Sequence, residues 1–245
     1  MTGRVEATLG DPGRRFAWAS VTKLASAVAM LVAAEEGLVE LDEPAGPPGS
    51  TLRHLLAHAS GLPFEGDAPI ARPGQRRIYS NSAFDVAAEL VAERAELPFA
   101  DYVAAVWGST GMALAGPAGS GMTGTLGDLL ELARELQTPS RLAPETLAEA
   151  RAVQFPGLEG VLPGFGRQEP NDWGLGFELR DGKSPHWTGA RNSAATFGHF
   201  GRSGTFLWVD PEAGIALACL TDRPFGAWAA TAWPLLADAV LDELG

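Results

Sequence analysis

The stretch FAWASVTKLASAVAMLVAAEEG, residues 16–37, decides how the rest of the chain is read. Val21, Leu24, Ala25, Val28, Leu31 and Val32 recur at helical spacing, Ser20 opens the segment and Gly37 closes it. The helix is apolar enough to be buried, yet Lys23 stands in its first turn. The chain has two lysines, Lys23 and Lys183, against sixteen arginines. Arginine is therefore the usual cation here, and a lysine at 23 points to something arginine cannot do. A desolvated lysine can lose its proton, while a guanidinium stays charged. The competing reading is a lysine that snorkels from a partly exposed helix.

Bulk composition narrows the function. A chain of 245 residues can bury a substantial core, and 46% hydrophobic with 20% charged residues fits a globular protein. The net charge of −12 and pI near 4.7 argue against a nucleic-acid partner, which needs a basic stripe. GQRRI at 74–78 is too short to be one. The single cysteine, Cys219, excludes an intramolecular disulfide, and its apolar setting GIALACL predicts a buried, inert thiol. The run Leu24–Ala34 is too short to span a bilayer and is interrupted too early for a signal peptide. The expectation is a cytoplasmic protein with no membrane partner.

Along the chain, 3–9 and 14–18 read as short strands around the turn GDPG. TLRHLLAHASG reads as a short helix with Thr51 near its N-cap and Gly61 past its end. Further helices are expected from YSN at 79–81 to about 95, and over 98–107, 125–137, 143–153 and 226–244. GPAGSGMTGTLGD and residues 156–172 read as loops. WGLGFELR, ATFGHFG, TFLWVD and GIALACLT read as strands. Helices in the middle and an antiparallel meander at the end give an α+β fold.

Ser20 and Lys23, at i and i+3, share a helix face. A serine hydroxyl is a weak nucleophile until a base lies within hydrogen-bond reach, and burial lowers a lysine's pKa enough to make it that base. The pair alone is weak evidence, since Ser20 could simply cap the helix. Two further elements follow in order. Tyr79, one of two tyrosines, stands in YSN before a helix. His199, one of four histidines, stands in GHFGRSG among three glycines.

Ser20-Val21-Thr22-Lys23, Tyr79-Ser80-Asn81 and His199-Phe200-Gly201 together resemble the three active-site motifs of serine penicillin-recognising enzymes. The nearest group is that of class C β-lactamases, D-Ala-D-Ala carboxypeptidases and related esterases. LLAHASGLP at 55–63, GSGMTGTLGDLLELARELQ and WGLGFEL are similar to further segments of that group, so the resemblance runs from about 14 to 244. It implies a β-lactamase/transpeptidase-like fold: an antiparallel sheet flanked by helices plus a helical region. One catalytic domain over 1–245 is expected, with an α/β part at about 1–50 and 172–245 and a mainly helical part at about 51–171. It implies that Ser20 is acylated, that Lys23 shares or accepts its proton, and that Tyr79 relays a proton to the leaving group. It implies that Asn81 and His199 bind substrate, that Gly201 allows a close approach, and that the backbone N–H groups of Ser20 and Arg202 form the oxyanion hole. No metal and no organic cofactor are implied, and the partner is a small ester, amide or peptide.

Other patterns read blandly. His54 and His58 lie four apart but lack a third ligand for zinc. GPAGSGMTG lacks the lysine of a phosphate loop, and GRSGT is not a nucleophile elbow. His186 and the tryptophans read as packing, with Trp173 and Trp187 as candidates for the cleft edge. Two departures from the family pattern stand out. His199 occupies a place where many relatives carry lysine, which weakens attraction for a substrate carboxylate near neutral pH. Only nineteen residues precede Ser20, so two expectations stand: a fold shortened at its N-terminus, whose sheet lacks a strand and leaves an edge to be covered, or a true start that lies upstream. The expected activity is an esterase or D-amino-acid peptidase working through an acyl-enzyme, with weak or no β-lactam hydrolysis. The alternatives are an acyl transferase and a binding or sensor module without turnover.

Overall fold

A four-stranded antiparallel sheet carries the C-terminal half of the site. The structure is a computed structural model that describes residues 5–244. In chain order its strands are β1 (Phe16–Ala17), β2 (Ala113–Leu114), β3 (Met122–Gly124), β4 (Gly160–Leu162), β5 (Gly166–Gln168), β6 (Glu178–Leu179), β7 (Phe197–Phe200), β8 (Phe206–Asp210) and β9 (Ile215–Cys219). Its helices are α1 (Thr22–Glu35), α2 (Leu52–Leu56), α3 (Asn81–Ala95), α4 (Phe99–Val106), α5 (Leu126–Gln137), α6 (Pro144–Ala150) and α7 (Ala227–Leu244). The main sheet runs β6-β7-β8-β9, a small sheet runs β1-β3-β2, and β4-β5 is a hairpin.

Strand alternation builds two cores. Along β8, Leu207 and Val209 pack with α1, α3, α4 and α5, while Phe206 and Trp208 pack against Trp233 and Ala237 of α7. All five β8 residues are buried because the strand is covered on both faces. The same alternation on β7 puts Phe197 in the first core and Phe200 in the second. His199 therefore shares the face of Phe197. The helix starts are capped as their sequences demand. Ser80 accepts from Ala83 N–H, and Thr125 and Asp128 form a reciprocal capping box on α5.

The α+β architecture and the C-terminal meander agree with the sequence reading, with several corrections. The first expected strand begins at residue 3, outside the described residues, and 5–9 form no strand. Only Phe16–Ala17 of the second expected strand is extended, and it pairs with β3, not with the main sheet. The segment read as the loop GPAGSGMTGTLGD contains β3, and the loop 156–172 contains the β4-β5 hairpin. WGLGFELR is extended as a paired strand only at Glu178–Leu179. Cys219 is half-buried, and burial raises its thiol pKa, the direction that keeps it unreactive. Among the described residues no helix is long and apolar enough to cross a membrane.

Candidate active site

Ser20 does not cap the helix. Residues Ala19–Val21 form a 3-10 turn before α1, and neither this turn nor α1 has a side-chain cap. Ala19 holds a left-handed φ of +45°, a conformation that costs an alanine about 1–3 kcal/mol and is retained where surrounding structure enforces it. The hydroxyl of Ser20 is thereby left to face a cavity of about 780 Å³. Tyr79, His199 and Arg202 line the same cavity, so all three motifs contribute to its wall.

Lys23 is fully buried. Burial lowers its pKa to about 7, opposed in part by the carboxylate of Asp85. Its Nζ donates to Asn81 Oδ1 at 2.6 Å and to the Gly119 carbonyl at 2.9 Å, and lies 4.7 Å from the Tyr79 ring centroid. The snorkelling reading is thus excluded. Gly119 must be small: a Cβ there would lie 3.0 Å from Nζ. Its loop is laced to α1 by Ser26 Oγ donating to Ala118 O (2.7 Å) and Met122 N–H donating to Thr22 Oγ1 (3.0 Å). Asp85 accepts from Ala118 N–H at 3.1 Å on the other side. Asn81 turns its carbonyl to Lys23 and is not among the residues that line the cavity.

Tyr79 is partly buried with its phenolic oxygen out of solvent, and this burial raises its phenol pKa; the Ser20 hydroxyl beside it offsets part of the rise. The two side chains stop short of full hydrogen-bond geometry, and no other protein group bonds the phenolic oxygen. Below Tyr79 lies His58, itself at φ +55°. Its Nδ1 accepts from Ser80 N–H at 3.2 Å, and its ring packs on Tyr79, Phe84 and Trp173. This is the structural hydrogen bonding expected of LLAHASGLP. His54 shares a hydrogen with Thr51 Oγ1 at 2.9 Å and stacks on Phe155. Among the described residues no group of three His, Cys, Asp or Glu could hold a metal ion.

His199 departs from the expectation of partial charge. Burial, then the nearby Lys23, lower its pKa to about 3, so the ring is neutral at physiological pH. Nδ1 lies 2.6 Å from the Phe200 carbonyl. A carbonyl only accepts, so Nδ1 carries the hydrogen and Nε2 is a bare acceptor. No protein group donates to Nε2. Gly201 follows β7 and lies against the 3-10 turn that bears Ser20. A Cβ there would meet Trp18 O at 2.6 Å, Ala19 Cβ at 2.9 Å and Ser20 N at 3.0 Å.

The cavity contains much that the motifs do not announce. Phe64, Ile70, Val161, Leu162, Trp173 and Phe225 make most of its wall apolar. Trp173 thus reaches the cleft as anticipated, whereas Trp187 is buried against Phe200 in the second core. Asp85, which opposes the burial-driven fall of the Lys23 pKa, and the Gly119 carbonyl, which accepts from Nζ, carry no local sequence signal.

The antiparallel sheet, the flanking helices and three motif segments meeting at one cavity define the β-lactamase/transpeptidase-like fold. The Beta-lactamase family model matches residues 7–113 and 103–241, and the chain belongs to that family. A beta-lactamase from Mycobacterium bovis is 54% identical, with a TM-score of 0.96 over 98% of this chain and 90% of that one. Simvastatin synthase from Aspergillus terreus (TM-score 0.74, 19% identity, 97% of this chain and 86% of that one) shares the fold. So does EstCE1, a hydrolase with promiscuous acyltransferase activity (TM-score 0.73, 20% identity, 94% and 86%). No curated protein matches the chain.

Proposed function

We propose that the chain is one catalytic domain, a serine hydrolase that forms an acyl-enzyme at Ser20 on an ester or amide. The observation that carries this reading is the state of Lys23. With a pKa near 7, much of it is a neutral amine at physiological pH. A neutral amine has two N–H bonds and one lone pair. Asn81 Oδ1 and the Gly119 carbonyl take both N–H bonds, which leaves the lone pair to accept the Ser20 proton. Tyr79, held protonated by burial, acts as the acid. It gives its proton to the departing alcohol or amine and regains one from the Lys23 ammonium. Water then repeats the sequence in reverse on the acyl-enzyme. The Ser20 and Arg202 N–H groups serve as oxyanion donors, with Gly201 allowing β7 to approach the Ser20 amide. Asn81 acts here by orienting Lys23, a different role from the substrate contact that the family resemblance implies.

Acyl transfer to an alcohol in place of water is a second reading. An apolar cavity holds less water against a competing acceptor, and EstCE1, which shares the fold, is named for such promiscuity. The reading is tested by intact mass after exposure to a fluorophosphonate probe. One adduct on the wild type and none on Ser20→Ala is expected. Equal labelling of both proteins would place the nucleophile elsewhere, and no labelling of either would favour a binding module.

A further inference from the structure

The cavity offers a bare acceptor where a carboxylate-binding site would need a cation. His199 is 3% exposed and lines the cavity. Its Nδ1 is committed to the Phe200 carbonyl, so Nε2 is the ring edge left for a ligand, and it is unpartnered. The ring is held from two sides by Tyr79 at 5.7 Å and Trp173 at 5.5 Å between centroids. It cannot turn to present Nδ1 without losing its hydrogen bond. A buried acceptor left without a donor costs about 1–3 kcal/mol, which a ligand that donates to it recovers.

From this geometry we infer that His199 selects uncharged substrates carrying a hydroxyl or amide N–H donor toward Nε2, and rejects those that place a carboxylate there. This rests on the proposed acyl-enzyme chemistry at Ser20. A carboxylate against Nε2 would set acceptor against acceptor in the inner part of the cavity, whose wall includes the buried Leu162 and Trp173. Such burial of an unpaired charge is strongly disfavoured. The cavity's other cations do not replace a lysine at 199. Arg77 is spent on the carbonyls of Ala57, Gln154, Phe155 and Asn171. Arg167 pairs with Glu159. Arg76 and Arg202 lie on more open surface, so they meet an anion at the rim, in water. Phe64, Ile70 and Val161 are exposed by 50%, 57% and 60% around the opening, which extends the apolar surface outward. The favoured substrate is therefore a bulky, mostly apolar ester with a neutral donor, not a peptide ending in a free carboxylate.

Arylboronic acids test this, because they bond reversibly to an activated serine and leave the aryl substituent to explore the cavity. Phenylboronic acid and its meta and para hydroxymethyl and carboxy derivatives are titrated against the protein, followed by Trp173 fluorescence with Trp173→Phe as the control. In the wild type the better hydroxymethyl isomer should bind about three- to tenfold tighter than the parent compound, the worth of one neutral hydrogen bond. Both carboxy isomers should bind more weakly than the parent. His199→Lys should invert the order, and His199→Ala should erase the hydroxymethyl advantage. A wild type that prefers a carboxy isomer, or shows no hydroxymethyl advantage at either position, overturns the inference, whether or not the variants fold. Ser20→Ala separates the two claims. It should weaken every boronate alike, and if it weakens none, the nucleophile is misassigned while the ranking still decides the role of His199.

Discussion

At the scale of single residues, the proposed mechanism divides the proton work between Lys23 and Tyr79 by how burial acts on each. Burial disfavours the charged form, so it frees a lone pair on lysine and locks a proton on tyrosine. In the proposed mechanism the base is then Lys23, and its pKa near 7 sets the pH dependence. The rate constant kcat/KM should rise with pH through an apparent pKa close to 7 and level off above it. Lys23→Arg should lose about 10²-fold or more in kcat, nearly as much as Lys23→Ala, because arginine keeps the charge but cannot surrender the proton. A full pH–rate profile of the three proteins checks this. An arginine variant with most of its activity, or a wild-type profile flat between pH 6 and 8, would rule out the amine as base. The same shift bears on stability. The folded state binds fewer protons than the unfolded state between about 7 and the ordinary lysine value of 10.5, so stability from this group rises with pH across that window. The scarcity of lysine and the Ser20–Lys23 spacing were readable along the chain. The partners that fix the lysine's state were not, because Asn81, Gly119 and Asp85 are 58 or more residues away in sequence. The tautomer of His199 was equally hidden, since a backbone carbonyl sets it.

At the scale of elements, the site depends on backbones meeting closely. The long periodic segments α1, α3, α5 and α7 and the alternating strands β7 to β9 were legible, because burial patterns repeat often enough to be counted. β3 and the β4-β5 hairpin were not. They have three residues each and include glycine, too short for a periodic pattern to show, and β3 is held in part by the distant β1. The N-terminal segment misled for the opposite reason: among the described residues, 5–9 look extended in sequence but form no strand, and Phe16–Ala17 pairs with β3 and not with the main sheet. One such close approach is the end of β7 against the 3-10 turn that bears Ser20. Gly201→Ala would place a methyl within 2.6 Å of the Trp18 carbonyl and 3.0 Å of the Ser20 nitrogen. Both neighbours are backbone or nearly so, and neither can move without shifting the nucleophile and its amide. A displacement of order 1 Å at reacting groups costs about 10²-fold. Gly201→Ala should therefore drop kcat by about that factor, with a much smaller change in urea midpoint. A variant with wild-type kcat would mean that β7 and the turn separate at no cost to the chemistry.

At the scale of the molecule, the second core walls one side of the cavity through Leu162, Trp173 and Phe200, and one buried charge cluster braces that wall. Glu178 of β6 receives Lys183 Nζ on one oxygen, and His186 Nε2 (2.9 Å) and Trp187 Nε1 (2.8 Å) on the other. Lys183 spends its remaining N–H bonds on the carbonyls of Asp172 and Leu179, both at 2.6 Å. The cluster thus ties the strand beside β7 to the segment that carries Trp173 into the cavity wall. Burial alone would raise the Glu178 pKa, but His186 and Lys183 overcome it and hold the carboxyl at about 2. A depressed folded pKa gives stability that is complete above the ordinary carboxylate value near 4.5 and is lost as pH falls from there toward 2. Glu178→Gln keeps the shape and removes the charge, leaving the Lys183 ammonium buried without its counter-ion. Breaking one side of such a pair costs about 3–5 kcal/mol. The loss should appear in urea unfolding at pH 7, and the variant's stability should vary less with pH than the wild type's between 4.5 and 2. Replacing both partners by apolar residues, as in Glu178→Leu with Lys183→Met, should cost less than the single change, because no charge is then stranded. Should Glu178→Gln unfold within about 1 kcal/mol of wild type at pH 7 (a difference small on the scale of a broken buried pair), Lys183 has found another anion, and the cluster does not brace the strand beside β7 against the segment that carries Trp173.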